Sequence, residues 1–188
     1  MRVLSFFQHA VPAVLQAQVL TLQEQAWPRR AGEPSTGHDP ALQPVTMLLV
    51  DDREGVLASL AVLSKEIAHN GRRFAASGLS TVVTDQSQRG RGYGHQLVTA
   101  ARDQIAASGA DLGIFSCDRE LAGFYRRAGW RVLPGTVLIG GTPENPFPSD
   151  RLGKLVLAEL FTDHARAHAA SFDQARIELY PGEIDTLW

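Results

Sequence analysis

A long β-hairpin near the middle of the chain constrains the fold more than any other feature. Two largely apolar runs, Val56–His69 and Arg72–Thr84, flank the dipeptide Asn70-Gly71, which is typical of a two-residue hairpin turn. Residues 92–108 follow shortly afterwards, and their apolar side chains recur at the spacing of one face of an α-helix. Because the hairpin is followed by alternating helices and strands, the sequence predicts a mixed α/β fold.

Further segments fit the same fold class. Strands are expected at residues 2–7, 45–50, 112–117, 130–132, 136–139 and 155–161. Helices are expected over residues 11–27, which Pro28 ends, and from an Asp118 cap through residue 127. Residues 28–43 are rich in proline, glycine and polar side chains and are expected to form a long loop or a broken helix.

The composition limits the class of protein. The 188 residues are enough for one domain, and 44% hydrophobic with 20% charged residues is typical of a globular chain. The 18 basic and 20 acidic side chains give a net charge of −2, which argues against nucleic acid as a partner. A single cysteine excludes an internal disulfide, and no apolar run approaches the roughly 20 residues that span a bilayer. We therefore expect a cytoplasmic protein that binds neither nucleic acid nor a membrane.

A glycine-rich segment, residues 88–94 (QRGRGYG), separates the second hairpin strand from the amphipathic helix. Glycine permits positive φ angles and lets the backbone approach a bulky anion. The first N–H groups of a helix have no partner within it, and the helix dipole and two arginines add positive charge. The segment suits a phosphate or pyrophosphate, although a flexible turn with solvated arginines explains it about equally well. It matches neither the Walker loop nor the G-x-G-x-x-G dinucleotide motif.

The spacing Q-x-x-G-x-G between a strand and a helix resembles the acyl-CoA pyrophosphate loop of the GCN5-related N-acetyltransferase (GNAT) family. Residues 122–130 (AGFYRRAGW) are similar to the family segment in which a helix carries a tyrosine and ends at a glycine before an aromatic residue. The resemblance implies a GNAT-type mixed central sheet with splayed parallel strands, flanked by helices. It also implies acetyl-CoA as co-substrate, without a metal. The residues that it assigns to acetyl-CoA are Val82, Val83, Thr84, Gln88, Arg89, Gly90, Arg91, Gly92, Tyr93 and Gly94.

A narrower similarity, to aminoglycoside 2′-N-acetyltransferases, extends over most of the chain. It runs from residues 38–50 through residues 125–141 to residues 177–188. It implies that residues 1–188 form a single GNAT domain in which residues 162–188 are a C-terminal extension closing on the acceptor site. Acidic groups of those enzymes receive the ammonium groups of the aminoglycoside. The matching positions here are Asp39, Asp150, Asp185 and the terminal carboxylate of Trp188.

The chemistry of acetyl transfer to an amine identifies further candidates. The departing thiolate needs a proton donor, and the resemblance directs the Tyr125 hydroxyl toward the CoA sulfur. The similar aminoglycoside enzymes carry a glutamate base nine residues before the loop arginine, where this chain has Ser80. Ser80 or the adjacent Thr81 is expected to hold a water in a proton relay. Cys117, a lone cysteine in an apolar strand, is expected to be a small buried hydrophobe and not a nucleophile.

The charges of the chain separate into two segments. Residues 71–94 carry four arginines against one aspartate, whereas residues 171–188 carry four acidic side chains against one arginine. This division suits an anionic co-substrate and a cationic acceptor. We therefore expect an acetyl-CoA-dependent N-acetyltransferase for a small cationic amine, with an aminoglycoside as one candidate. A non-catalytic module that binds CoA or an amine, and an acyltransferase for a peptide or polyamine, are the alternatives.

Two remaining features concern metals and assembly. His164 and His168 are four residues apart, and without a third ligand they are expected to lie on a solvated helix face and bind no metal. Exposed sheet edges and the strand-like residues 177–180 offer a route to a homodimer.

Overall fold

The computed structural model describes residues 1–28 and 37–180 of the chain. The strands are β1 (Arg2–Phe7), β2 (Val45–Val50), β3 (Val56–His69), β4 (Arg72–Thr84), β5 (Leu112–Cys117), β6 (Arg131–Val132), β7 (Val137–Gly141), β8 (Pro146–Pro148), β9 (Leu155–Leu160) and β10 (Arg176–Glu178). The α-helices are α1 (Ala13–Ala26), α2 (Tyr93–Ala107), α3 (Ala122–Arg127) and α4 (Asp163–Ala167). The bounds of β2, β3 and β4 agree with the sequence-based prediction because turn-forming residues separate these apolar runs.

The main sheet has seven strands in the order β1-β2-β3-β4-β5-β9-β6. Strands β1 to β4 are antiparallel, β4 and β5 are parallel, and β9 is antiparallel to both β5 and β6. The turn between β3 and β4 uses Asn70 (φ 48°) and Gly71 (φ 70°), the positive φ angles of a type I′ hairpin turn. The mixed α/β sheet expected from the sequence is confirmed.

Helices cover both faces of the main sheet. Helix α1 packs on the face that carries Leu48, and α2 packs on the face that carries Leu49. Because successive strand residues point to opposite faces, the two helices lie on opposite sides of the sheet. In the described ranges, no helix is both long and apolar enough to cross a bilayer. The apolar residues that α2 buries are Leu97, Val98, Ala101 and Ile105.

The parallel strands β4 and β5 stay together over a short distance only. Their register pairs Ala76 with Leu112 and Ser77 with Gly113. Strand β4 then continues to Thr84 and β5 to Cys117 with no further pairing between these two described strands. The strands therefore diverge, as the resemblance predicts, and one backbone edge of β4 is left without a strand partner.

A second, smaller sheet has the order β10-β7-β8. Strand β8 is not expected from the sequence because Pro146 and Pro148 cannot donate backbone hydrogen bonds, but an edge position tolerates them. Strand β10 is parallel to β7 and continues with the Leu179 N–H donating to the Ile139 carbonyl at 2.9 Å. The segment expected to pair between two chains is therefore paired within one chain over much of its length.

The start of α3 differs from the expected helix cap. Arg119–Leu121 forms a 3₁₀ turn, and α3 begins only at Ala122. The Asp118 carboxylate makes no capping hydrogen bond and instead accepts one from Lys154 Nζ at 2.7 Å. The expected position of the cap at Asp118 and the helix end at Arg127 are confirmed, but the capping hydrogen bond is absent and the first turn is a 3₁₀ turn.

Candidate active site

Strand β4 contains a β-bulge where it leaves β5. Its register with β3 pairs Ala61 with Ser80 and Ser59 with Val83, so β4 has one residue more than β3 between these pairs. Within the bulge, Thr81 takes a φ of 49°, which is uncommon for a residue other than glycine. The extra residue bends β4 and increases its twist at the point of divergence.

The divergence opens a cavity of about 850 Å³, which we call the β4–β5 cleft. Its walls are the end of α1, the last residues of β4, the glycine-rich segment with the start of α2, and α3. Arg91 is exposed and is not part of the lining. The predicted site residues that line the cleft are Val82, Val83, Thr84, Gln88, Arg89, Gly90, Gly92, Tyr93, Gly94 and Tyr125.

The backbone of the glycine-rich segment suits an anion. Gly90 and Gly92 take φ angles of 80° and 84°, in the left-handed region that glycine adopts without strain. Gly92 caps α2, and its carbonyl accepts a hydrogen bond from the Gln96 N–H at 2.9 Å. The N–H groups of the first helical turn precede this hydrogen bond in the chain and have no acceptor within the helix. They lie at the positive end of the helix dipole. Gly94 allows α2 to approach β4 closely, since a Cβ there would lie 2.6 Å from Thr84 Oγ1.

Tyr125 lies on α3 in the wall of the cleft and is 5% exposed. Its ring makes edge contacts with Phe115 and Phe124, whose centroids are 5.0 and 4.9 Å away. Burial raises the pKa of Tyr125 far above the ordinary tyrosine value, and Cys117 and Asp118 act in the same direction. The hydroxyl therefore stays protonated at neutral and moderately alkaline pH, the form that can donate a proton.

Cys117 ends β5 and is also buried. Burial raises the pKa of its thiol to about 11, with a smaller contribution from Asp118 that Lys154 opposes. The thiol donates a hydrogen bond to the Asp118 carbonyl at 3.2 Å. Because a protonated thiol is a poor nucleophile, these surroundings agree with the expected packing role and disfavour a covalent acyl-enzyme.

A second cavity, of about 450 Å³, lies between α1 and strands β2, β3 and β4, and we call it the α1-side pocket. Its polar lining includes glutamine, histidine, serine and threonine side chains, and none of its described lining residues is Asp or Glu. Thr81 lines this pocket, whereas the next residue, Val82, lines the β4–β5 cleft. The bulge therefore lies between the two cavities, which suits a reaction between a ligand in each.

Asp39, expected to bind an acceptor ammonium, has local partners. Its carboxylate accepts a hydrogen bond from the Ala41 N–H at 2.8 Å and so caps the turn Pro40–Leu42. Burial lowers the pKa of Lys65, and the charge of Asp39 opposes this shift. Asp39 lines neither the β4–β5 cleft nor the α1-side pocket.

The other acidic groups expected at the acceptor site are not brought there by the described residues. Asp150 Oδ2 lies 3.9 Å from Arg176 Nη1, beside the small sheet, and lines neither cavity. Asp185 and Trp188 lie outside the described residues. Closure of the acceptor site by residues 162–188 therefore stays a prediction.

Ser80 pairs with Ala61 and lines neither cavity. Because the bulge interrupts the regular alternation of β4, the adjacent Thr81 is the residue that reaches the α1-side pocket. Of the two hydroxyls considered for a water relay, only Thr81 lines the α1-side pocket.

The end of α1 supplies part of the cleft that sequence reasoning misses. Gln25 and Trp27 both line the β4–β5 cleft, and Trp27 is 50% exposed. Gln86 Nε2 donates a hydrogen bond to the Gln25 carbonyl at 2.9 Å and holds the helix end beside the glycine-rich segment. The available sequence signal is a tryptophan at the end of the helix, immediately before Pro28.

His164 is exposed, as expected, whereas His168 is half-buried. Their rings pack against Phe74, with centroids 4.8 and 6.2 Å from its ring, and the His168 Nδ1 lies 2.9 Å from the His164 carbonyl oxygen. Within residues 1–28 and 37–180, no three His, Cys, Asp or Glu side chains are grouped so that they could hold a metal ion.

A cleft between diverging parallel strands, with a helix start that suits an anion and a buried phenol in its walls, is the arrangement expected of an acyl-CoA-dependent transferase. A family model described as an acetyltransferase (GNAT) domain matches residues 15–133. The chain belongs to the GNAT family and is an N-acetyltransferase, as the resemblance in its glycine-rich segment predicts.

Solved structures share this fold. Escherichia coli ElaA is 14% identical with a TM-score of 0.56, and the match covers 84% of this chain and 98% of that one. A putative N-acetyltransferase from Lactobacillus plantarum is 18% identical with a TM-score of 0.56 and coverages of 86% and 100%. An aminoglycoside 6′-N-acetyltransferase complexed with coenzyme A is 13% identical with a TM-score of 0.58 and coverages of 86% and 98%. A search of curated proteins finds no match. At these identities the likeness establishes the fold alone.

Proposed function

We propose that the protein transfers the acetyl group of acetyl-CoA directly to the amine of a small acceptor. Acetyl-CoA occupies the β4–β5 cleft, and the acceptor enters from the α1-side pocket. The observation that carries the proposal is the divergence of β4 from β5, which brings an anion site and a buried phenol into one cleft.

The residues of the cleft fit the chemical groups of acetyl-CoA. The N–H groups at the start of α2, together with Arg89, suit the pyrophosphate. The pantetheine arm contains amides, and the edge of β4 near Val82 and Thr84, which has no strand partner, offers backbone groups that pair with amides. An extended arm added beside β4 would therefore bring its thioester to the bulge.

Tyr125 supplies the proton that the leaving sulfur requires. A bond forms between the acceptor nitrogen and the acetyl carbon, the carbon–sulfur bond breaks, and the Tyr125 hydroxyl proton passes to sulfur. The proton lost by the nitrogen passes to water, and water restores the Tyr125 hydroxyl. A thiolate that forms in the cleft with little water around it is a stronger base than in water.

Water accepts the proton of the amine. None of the described residues lining the α1-side pocket is Asp or Glu, and the Thr81 hydroxyl is not a competent base. An ammonium that enters the pocket loses solvation, which lowers its pKa and raises the fraction of neutral amine. Of the two hydroxyls considered for the relay, Thr81, which lines the α1-side pocket, holds the water that carries the proton away.

The size of the α1-side pocket favours a small acceptor. A cavity of about 450 Å³ is within the range of small-molecule sites. An aminoglycoside is a candidate because of the sequence similarity over residues 38–50, 125–141 and 177–188. The described lining offers no carboxylate to its several ammonium groups, so aminoglycosides form one arm of the test.

Calorimetry with acetyl-CoA, followed by assays of CoA-thiol release, tests the proposal. The panel contains amino sugars, amino-acid amides, polyamines and aminoglycosides, and mass spectrometry identifies the acetylated product. We expect acetyl-CoA to bind and at least one amine to be acetylated well above the uncatalysed rate. Acetyl-CoA binding without acetylation of any amine would contradict the proposal and favour a non-catalytic binding module.

A further inference from the structure

We propose that the α1-side pocket recognises its acceptor through uncharged hydrogen bonds centred on Ser59. This pocket would select an amine that carries hydroxyl or amide groups and no second ammonium, such as a mono-amino sugar. The inference rests on the proposed function, since it concerns the acceptor of the same transfer reaction.

Ser59 is the observation that points to a ligand. The residue lies on β3, lines the pocket and is 1% exposed. Its Oγ is buried and has no hydrogen-bond partner among the residues that the structure describes. A buried hydroxyl without a partner is unfavourable, and an acceptor with a hydroxyl or amide would supply the missing hydrogen bond.

Ser59 also lies close to the reacting groups. It pairs with Val83 across β3 and β4, immediately beyond the bulge that contains Thr81 and Val82. A ligand that contacts Ser59 Oγ therefore lies at the bulge, the strand segment between this pocket and the β4–β5 cleft. A hydrogen bond at Ser59 would position the amine as well as select it.

The other polar groups around the pocket are uncharged or basic. Gln16 and Gln23 lie seven residues apart on the same face of α1, and Thr46 lies on β2. Amides and hydroxyls both donate and accept hydrogen bonds, which matches a polyhydroxylated or amide-bearing molecule. His9 and His38 also line the pocket.

Gln8 has a structural role in the pocket wall. Its Oε1 accepts a hydrogen bond from the His38 N–H at 2.9 Å, and its Nε2 donates to the His38 carbonyl at 3.1 Å. Both polar atoms of the Gln8 side-chain amide therefore already form hydrogen bonds with the His38 backbone. Recognition therefore falls to the side chains of Ser59, Gln16, Gln23 and Thr46, which line the same pocket.

The charge of the lining explains why a polycation would be disfavoured. The reacting nitrogen must be neutral, so it gives up its charge on entering. Every further ammonium would lose its solvation without meeting a carboxylate in the described lining, and unpaired buried charge is costly. The amides and hydroxyls of the same lining can form hydrogen bonds with the hydroxyl groups of an acceptor, so the burial of those hydroxyl groups costs little free energy.

Paired acceptors test this selectivity in the full chain. Thiol release is measured with glucosamine and glycinamide, which have one amine each, and with spermidine and an aminoglycoside, which have several. We expect kcat/KM to be at least about tenfold higher for the better mono-amine than for either polycation. Higher kcat/KM for a polycation would overturn the inference and leave the proposed function standing. Absence of turnover with every amine would overturn both.

Ser59→Ala separates recognition from packing. We expect KM for the preferred mono-amine to rise about fivefold, with acetyl-CoA affinity unchanged. The melting temperature should stay the same or rise, because the variant removes a buried hydroxyl that has no partner among the described residues. Ser64→Ala is the matched control on β3, since the Ser64 and Ser77 hydroxyls already pair at 2.8 Å. An unchanged acceptor KM in Ser59→Ala would remove Ser59 from recognition.

Gln16→Glu tests the charge argument in the opposite direction. The change adds a carboxylate to the pocket with almost no change in shape. We expect the ratio of kcat/KM for spermidine to that for glucosamine to rise about tenfold. Ala17→Glu adds the same charge at the next, exposed position of α1 and should leave the ratio unchanged. An equal response of the two variants would show that charge in the pocket does not set acceptor choice.

Discussion

Burial determines how Tyr125 can act in catalysis. The phenol is enclosed by two aromatic rings and lies near Cys117, and each of these surroundings disfavours its charged form. A tyrosine with a raised pKa keeps its proton until a strong base develops beside it. In the proposed mechanism the breaking carbon–sulfur bond creates such a base, so proton donation would be confined to the moment of transfer.

Removal of the Tyr125 hydroxyl should slow turnover without preventing binding. For Tyr125→Phe we expect kcat to fall about 10²-fold, near the low end for a lost general acid because a thiolate is a fair leaving group. The dissociation constant for acetyl-CoA, measured by calorimetry, should change less than about threefold. Tyr180→Phe is the matched control, since Tyr180 does not line the cleft. An unchanged kcat in Tyr125→Phe would exclude the hydroxyl as proton donor.

The raised pKa of Tyr125 has a consequence for the pH profile. Because the folded-state pKa lies above the ordinary value of about 10, the acid form persists through about pH 10. We expect kcat of the wild-type protein to rise with the neutral fraction of the amine and then stay level, with no fall near pH 10. A decline with an apparent pKa near 10 that disappears in Tyr125→Phe would contradict the assigned role.

At the scale of elements, the relation between β4 and α2 shapes the β4–β5 cleft. The bulge bends β4 away from β5, and Gly94 allows the start of α2 to pack against Thr84. Local sequence predicts both elements well because an Asn-Gly turn and a glycine-rich segment delimit them. It does not predict the bulge, because the run Ser80–Val83 is compatible with a regular strand and the extra residue arises from the pairing with β3.

Gly94→Ala should disturb this packing. The added Cβ would lie 2.6 Å from Thr84 Oγ1 and 3.5 Å from the Phe124 ring, so the Thr84 side chain must move within the cleft. We expect a lower melting temperature and about tenfold weaker acetyl-CoA binding, the range of a modest overpacking cost. Thermal unfolding and calorimetry measure the two effects.

Two further variants define the cause of the Gly94→Ala effect. Gly123→Ala makes the same change on α3, where the nearest atom is 3.7 Å away, and should be tolerated. Adding Thr84→Ala to Gly94→Ala removes the closest atom and should recover part of the lost stability. If Gly94→Ala is as harmless as Gly123→Ala, close packing of α2 on β4 is not needed for the cleft.

At the scale of the whole molecule, two cavities lie on either side of one strand. Residues from α1, β2, β3 and β4 meet in the α1-side pocket, and no local pattern reveals this meeting because it depends on the tertiary packing of α1. The acidic acceptor site expected from the sequence is not found in the described residues for a related reason. Asp39 and Asp150 match site residues by their position along the chain only. The Asp39 carboxylate instead caps a helical turn, and the Asp150 carboxylate lies beside Arg176.

Hydrogen–deuterium exchange with and without acetyl-CoA tests the central claim most directly, because it reads the binding site from backbone amides along the entire chain. We expect acetyl-CoA to slow exchange in residues 78–84 of β4 and in residues 88–96, because the strand edge and the helix start form the proposed binding site. Exchange in the small sheet, at β7, β8 and β10, should not change. Protection confined to the small sheet, or binding without protection of β4 and the glycine-rich segment, would contradict the account.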